Sequence, residues 1–171
     1  MTNASANSYE ELLSKMTPGQ KEELLSLLEN REKLIASNKL ATFYPDTGPT
    51  RRDLYPKHLE FFAAGANHRE RLFCAANRIG KSSAGAYELT VHMTGLYPGW
   101  WTGKRFERPI SAWAAGDSSK TTRDVIQEKL LGRPGQFGQG MIPKDCLLRW
   151  TPRAGTPDAV ETIYVLHLSG G

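Results

Sequence analysis

Along this chain of 171 residues the spacing of apolar side chains changes character near residue 40. Before that point it is helical. Leu12 and Leu13 mark a short first helix. Leu24, Leu25, Leu27, Leu28, Leu34 and Ile35 give a longer one an apolar stripe, with Glu22, Glu23, Glu29, Arg31 and Glu32 on its other faces. Ser8-x-x-Glu11 and Thr17-x-x-Gln20 both have capping-box form, and Pro18 takes the first helical position, where its missing N–H is not needed. The pattern predicts a helical appendage over 1–40, built as a hairpin. Such a hairpin is either a packed appendage or a docking element for a partner. Turn residues crowd Phe43 to Thr50, so 41–53 reads as a linker.

Beyond it, short apolar runs alternate with helical spacing. A helix starting at Pro56 places Leu59 and Phe62 on one face. Leu72, Phe73, Cys74 and Ala75 form an uninterrupted apolar run, the kind found in buried parallel strands. Ser83 to Thr94 has helical spacing, with Leu89/Met93 and Tyr87/Val91 four residues apart and Gly95 placed to end it in the left-handed conformation. Pro109 to Asp117 reads as a second buried strand running into a turn. Asp117 or Ser118 then caps a helix over Ser119 to Leu131, its period given by Val125, Ile126, Lys129 and Leu130. After a glycine-rich loop, Leu147 to Trp150 and Thr162 to Leu168 read as strands that pair around the turn-rich stretch Thr151–Asp158. The fold class expected for 54–171 is therefore α/β.

One junction of strand and helix carries chemistry. Ala75-Ala76-Asn77-Arg78-Ile79-Gly80-Lys81-Ser82 fits the phosphate-binding pattern G-x-x-x-x-G-K-[ST], with alanine in the first glycine position. Backbone N–H groups of such a loop curl around an anion, and the next helix adds its positive N-terminal end. Gly80 lets the backbone come close to phosphate. Lys81 brings an ammonium to the β- and γ-phosphates, and the Ser82 hydroxyl takes a position on Mg²⁺. The expected nucleotide-binding residues are Ala76, Asn77, Arg78, Ile79, Gly80, Lys81, Ser82 and Ser83. Ala75 is less comfortable than glycine at positive φ, which predicts an altered path into the loop. The competing reading is a plain strand-to-helix turn capped by Ser82 or Ser83.

Charge and composition narrow this only slightly. Net charge is +4; residues 1–40 hold five basic and six acidic residues, leaving 17 and 12 for the rest. A basic remainder permits nucleic acid without indicating it. The Tyr97–Arg108 loop mixes aromatics with Lys104, Arg105 and Arg108, which makes it either a base-stacking DNA contact or a hydrophobic plug built on Trp100 and Trp101. Asp117, Ser118, Thr121 and Arg123, where the second strand runs into its helix, face a ligand or DNA, or else belong to a plain capped surface helix. Cys74 and Cys146 lack metal-ligand spacing, and none of the four histidines has it either, so a reducing intracellular setting is expected. The polar start Met1–Ser8 argues against a secretory signal. No apolar run is long enough to span a bilayer.

Taken together, Tyr55-Pro-Lys-His-Leu-Glu-Phe-Phe, Ala75-Ala-Asn-Arg-Ile-Gly-Lys-Ser, Gly95-Leu-Tyr-Pro-Gly-Trp-Trp, Ala112-Trp-Ala-Ala-Gly-Asp and Thr121-Thr-Arg-Asp resemble the ATPase portion of tailed-bacteriophage terminase large subunits over about 50–171. The resemblance implies a phosphate-loop NTPase with a parallel sheet and flanking helices, here incomplete, within 54–171. It implies ATP and Mg²⁺ as cofactors, with double-stranded viral DNA, a small terminase subunit and the portal as partners. It also implies homo-oligomers of the full-length protein and a place in the cytoplasm of the host cell. Lys81 and Ser82 correspond to the phosphate and Mg²⁺ contacts, and Arg78 to a loop arginine that senses the γ-phosphate. After Ser82, however, no apolar run ends in Asp-Glu, the form of the acidic pair that hydrolysis needs. The family's nuclease domain has no counterpart here either. The expectation is a truncated product or fragment that binds ATP without hydrolysing it. Two alternatives stay open: a non-catalytic module that docks a small packaging subunit, and a fragment of a helicase-like ATPase. Where helicase-like ATPases place an adenine-reading glutamine, this chain has Lys57-His58, so a simple packing helix is an equal reading there.

Overall fold

The computed structural model describes residues 15–170, and over 30–37 the backbone alone. The chain divides into two compact units, 1–36 and 37–171. In the first, helix α1 (Pro18–Ser37) opens on the expected capping box. The Thr17 N–H donates to Gln20 Oε1 at 2.9 Å, and the Gln20 N–H returns to Thr17 Oγ1 at 3.4 Å. Its Leu25 and Leu27 are about 60% exposed. The shorter helix expected around Leu12 and Leu13 lies outside the described residues.

The larger unit is a mixture of helices and one small sheet. Its elements are α2 (Lys39–Thr42), α3 (Pro56–Ala64), α4 (Lys81–Thr94), a composite helix α5, and strands β1 (Leu147–Pro152) and β2 (Val160–Val165). Asn38 caps α2 through its side chain, and Pro56 opens α3. Ser118, rather than Asp117, caps α5 by accepting from the Thr121 N–H at 3.2 Å. Helix α5 runs through Ser119–Thr121, a π-helical segment Thr122–Gln127, and Glu128–Leu131. The π segment was not legible from spacing. β1 and β2 pair antiparallel as expected, with Trp150 opposite Ile163 and Thr151 opposite Thr162.

Helix α4 organises the packing. Its Ala84, Tyr87 and Val91 enter an aromatic core with Leu40, Tyr44, Phe62, Trp101 and Met141. Ala86 on the same helix joins Leu130, Leu131 and Ile142 in a second core beside the hairpin. Tyr44 meets Tyr87 edge-on with centroids 4.8 Å apart, and Phe62 meets Trp101 at a tilt with centroids 5.0 Å apart. Fully burying one such side chain contributes about 1.5–3 kcal/mol. Thr90 and Thr94 are also buried, and each satisfies its hydroxyl by donating to a carbonyl one turn back. At the C-terminus of α4, Gly95 is left-handed with φ 73°.

Two expectations change, and one open alternative closes. Leu72–Ala75 and Pro109–Asp117 form no strand: neither is in a ladder, and Leu72 is 86% and Trp113 97% exposed. Hence the parallel sheet expected for the phosphate-loop fold is not formed among the described residues. An apolar run becomes a strand only when a neighbour takes up its backbone N–H and C=O groups, and neither run has one. The supposed linker is structural at its start, since Tyr44 is buried and Phe43 packs against the same aromatic core. Last, Trp101 is buried among Phe62, Tyr87 and Tyr97, so the Trp100-Trp101 pair is a plug.

Candidate phosphate site

The segment entering the site is fixed at its base. Arg71 donates to Glu88 Oε1 at 2.8 Å and to Phe61 O at 2.6 Å, tying the run before the loop to both α3 and α4. Glu88 is buried, so this charge pair needs both members to stay satisfied. Phe73 then stacks on Phe61 with centroids 4.7 Å apart.

In the loop, the left-handed positions are Arg78, φ 63°, and Gly80, φ 90°. Ala75 has ordinary φ, so the alanine expected to disturb the path is tolerated without strain. Gly80 is constrained twice. Besides its φ, an added Cβ would sit 3.1 Å from His58 Cε1. His58 is the buttress beneath the loop. Its Nε2 lies 3.0 Å from Ile79 O, a pure acceptor, so Nε2 carries the proton. Its Nδ1 then accepts from the Tyr44 hydroxyl at 2.8 Å. Burial holds the imidazole below its ordinary pKa and keeps it neutral, which suits this tautomer.

Helix α4 begins at Lys81 with no side-chain cap. The N–H groups of Lys81, Ser82 and Ser83 therefore have no intrahelical acceptor and face the loop side. Above them is a cavity of about 360 Å³ lined by Asn77, Arg78, Gly80, Lys81, Ser82, Ser83 and Lys129. Three of these residues are cationic and none is acidic. Lys81 Nζ donates to Ala75 O at 2.5 Å and Ala76 O at 2.7 Å, which closes the loop around its own ammonium. Among the described residues the side chains of Arg78, Ser82 and Lys129 have no hydrogen-bond or ion-pair partner. A preorganised cluster of donors and positive charge is what a phosphate chain requires.

Ala76 and Ile79 do not line this cavity; they act through their carbonyls. Ile79 faces a neighbouring cavity of about 430 Å³, walled by Phe43, Tyr44, Tyr55 and His58 and sharing Arg78, Gly80 and Ser83 with the first. Lys129 and this aromatic wall are the site residues that sequence reasoning missed. Helical period places Lys129 with the apolar face of its helix, and turn-rich composition places Phe43 and Tyr44 in a linker. The residues proposed for DNA contact are not brought to the site. Arg123 is engaged by Asp124 at 2.7 Å and Pro157 O at 3.1 Å, and Arg105 donates to Trp101 O at 3.2 Å. Lys104 and Arg108 are exposed. Among the described residues no group of histidine, cysteine, aspartate or glutamate has metal-holding geometry, and no helix is long and apolar enough to cross a membrane.

Comparison with known proteins places the chain in a family. The chain is 33% identical to the terminase large subunit of Salmonella phage P22, in an alignment covering 91% of this chain and 32% of that protein. It thus spans about a third of the relative's length. No solved structure matches it significantly. The family described as terminase large subunit, T4likevirus-type, N-terminal, matches residues 72–170, more than half of the chain and all of the loop from Leu72 onward, and the chain belongs to that family of phage terminase large subunits.

Proposed function

We propose that the cavity at the start of α4 binds the phosphates of Mg-ATP, and that the chain is the nucleotide-binding part of a motor that packages viral DNA into procapsids. The observation that carries this reading is the convergence of Arg78, Lys81 and Lys129, without any carboxylate, on the uncapped end of a 14-residue helix. The residues present fit the nucleotide. Backbone N–H groups of Lys81, Ser82 and Ser83 would hold phosphate oxygens, with Lys81 and Arg78 neutralising their charge. The Ser82 hydroxyl would help to hold Mg²⁺, which would supply positive charge that polarises the phosphates. The aromatic cavity next door accepts a base by stacking on Tyr55 or Phe43. The residues that line the cavity account for binding of the phosphates.

Double-stranded DNA, the small terminase subunit and the portal are the partners this reading carries. Lys104 and Arg108 remain available to DNA phosphates. The two unpaired apolar runs, Leu72–Ala75 and Pro109–Asp117, are the stretches that a phosphate-loop fold uses as parallel strands. Calorimetric titration with Mg-ATP tests the assignment: Lys81→Ala should weaken binding at least a hundredfold, and equal affinity of the two proteins refutes it.

A second reading has its own support. The exposed Leu25 and Leu28, three residues apart, share one face of α1, as the anchors of a docking helix for the small subunit would. Removing residues 1–36, which leaves the buried Leu40 in place, should then abolish capture of that subunit while nucleotide binding persists; undiminished capture rules it out.

A further inference from the structure

We infer that Lys129 contacts the terminal phosphate of the bound nucleotide and makes the site prefer a nucleoside triphosphate to a diphosphate. This rests on the nucleotide reading above and assigns a residue within that same site.

Lys129 reaches the loop from a different element, near the end of α5. Helical spacing puts Lys129 on the apolar face with Ile126 and Leu130. The structure instead buries Leu130 and Leu131 and leaves Lys129 half-buried at the rim of the loop cavity. The cause is the π-helical segment Thr122–Gln127 just before it, which adds backbone to the turn and rotates everything that follows.

Its backbone is held firmly. The Met141 N–H donates to Lys129 O at 2.8 Å, and the neighbouring Ile142 N–H donates to Leu130 O at 2.9 Å. Gln127 locks α5 to the hairpin, donating to Asp158 O and accepting from the Val160 N–H, each at 2.8 Å. The side chain, by contrast, is uncommitted: among the described residues its ammonium has no partner. A fixed stem with a free charge aimed at an anion cavity suits a ligand contact.

The direction of the ligand follows from the two cavities. Arg78, Gly80 and Ser83 are common to both, so a nucleotide stretches across them with its base against the aromatic wall. Asn77, Lys81, Ser82 and Lys129 line the phosphate cavity and not its neighbour, and of these only Lys129 comes from outside the loop and α4. It therefore stands beyond the shared residues, where the chain of phosphates ends. A contact to the last phosphate exists for a triphosphate and is missing for a diphosphate.

The test uses the full 171-residue chain with ADP and with the β,γ-imido analogue of ATP, both with Mg²⁺, titrated calorimetrically. Lys129→Met should weaken the triphosphate analogue about tenfold, the size of one charge-assisted hydrogen bond, and change ADP by less than about twofold. Lys129→Arg should restore most of the difference, and a near-native circular dichroism melt for both variants excludes misfolding. Equal losses for the two nucleotides, or none for either, overturn the inference while Lys81→Ala still tests the site itself. If the wild-type chain binds neither nucleotide, the site reading fails and takes this contact with it.

Discussion

Phe62 and Trp113 are both aromatic residues in segments whose composition marks them for a core, yet Phe62 is 1% exposed and Trp113 97%. Phe62 sits on α3, a helix whose backbone bonds are closed within itself. Once formed, it needs only an apolar neighbour, and α4, Tyr44 and Trp101 supply one. Trp113 sits on an apolar run whose backbone needs strands on either side before its side chains can be covered. The contrast separates two kinds of information in a sequence. Helical periodicity names the element and the face that it buries. An apolar strand-like run names only a tendency, and distant residues decide the outcome.

The comparison can be broken by mutation. The largest effect is expected at Phe62→Ala, which should destabilise the protein by about 3–5 kcal/mol because the rigid aromatic core around it cannot collapse onto the gap. Denaturant titration measures this, and a loss below about 1 kcal/mol means that the aromatic cluster is not the core. Gly80→Ala should follow, at about 1–3 kcal/mol, since it combines left-handed strain with crowding of His58. The same variant should lose nucleotide affinity, because the loop and its buttress move together.

Smaller and pH-dependent is His58→Gln. The folded pKa of His58 lies below its unfolded value near 6.5, so below neutral pH the unfolded chain takes up the proton more readily. Its stabilising contribution is therefore fully present above about pH 6.5 and declines as pH falls toward the lowered folded pKa. Glutamine keeps a donor for Ile79 O without titrating. Thermal melts between pH 7 and 5 should thus show a shallower decline for the variant than for wild type, and parallel curves would contradict the buttress. Smallest of all, Trp113→Ser should stay within about 0.5 kcal/mol of wild type. A larger loss would mean that the exposed run is covered in solution.

Helices at Pro56, at Lys81 and after Ser118, the hairpin around residues 151–158 and the loop itself were all legible, because each depends on nearby residues: a proline, a cap, a turn, a glycine. The parallel sheet was not, since its strands had to find partners. The π turn in α5 leaves no periodic trace, so Lys129 was assigned to the wrong face. Tyr44 and Phe43 sit among turn residues, and local composition hid their place in the aromatic core. Ala75 was the opposite case. The pattern named the position as a glycine's, while the backbone puts its left-handed residues at Arg78 and Gly80 instead.

The central claim is that Arg78-Ile79-Gly80-Lys81-Ser82 forms a working phosphate cradle on its own local geometry, whether or not the neighbouring apolar runs are paired. Calorimetric titration of wild type and Lys81→Ala with Mg-ATP tests it most directly. Saturable one-to-one binding by wild type, weakened at least a hundredfold in the variant, is the predicted result. Absence of binding by the wild-type chain, or the same affinity in both, would contradict it.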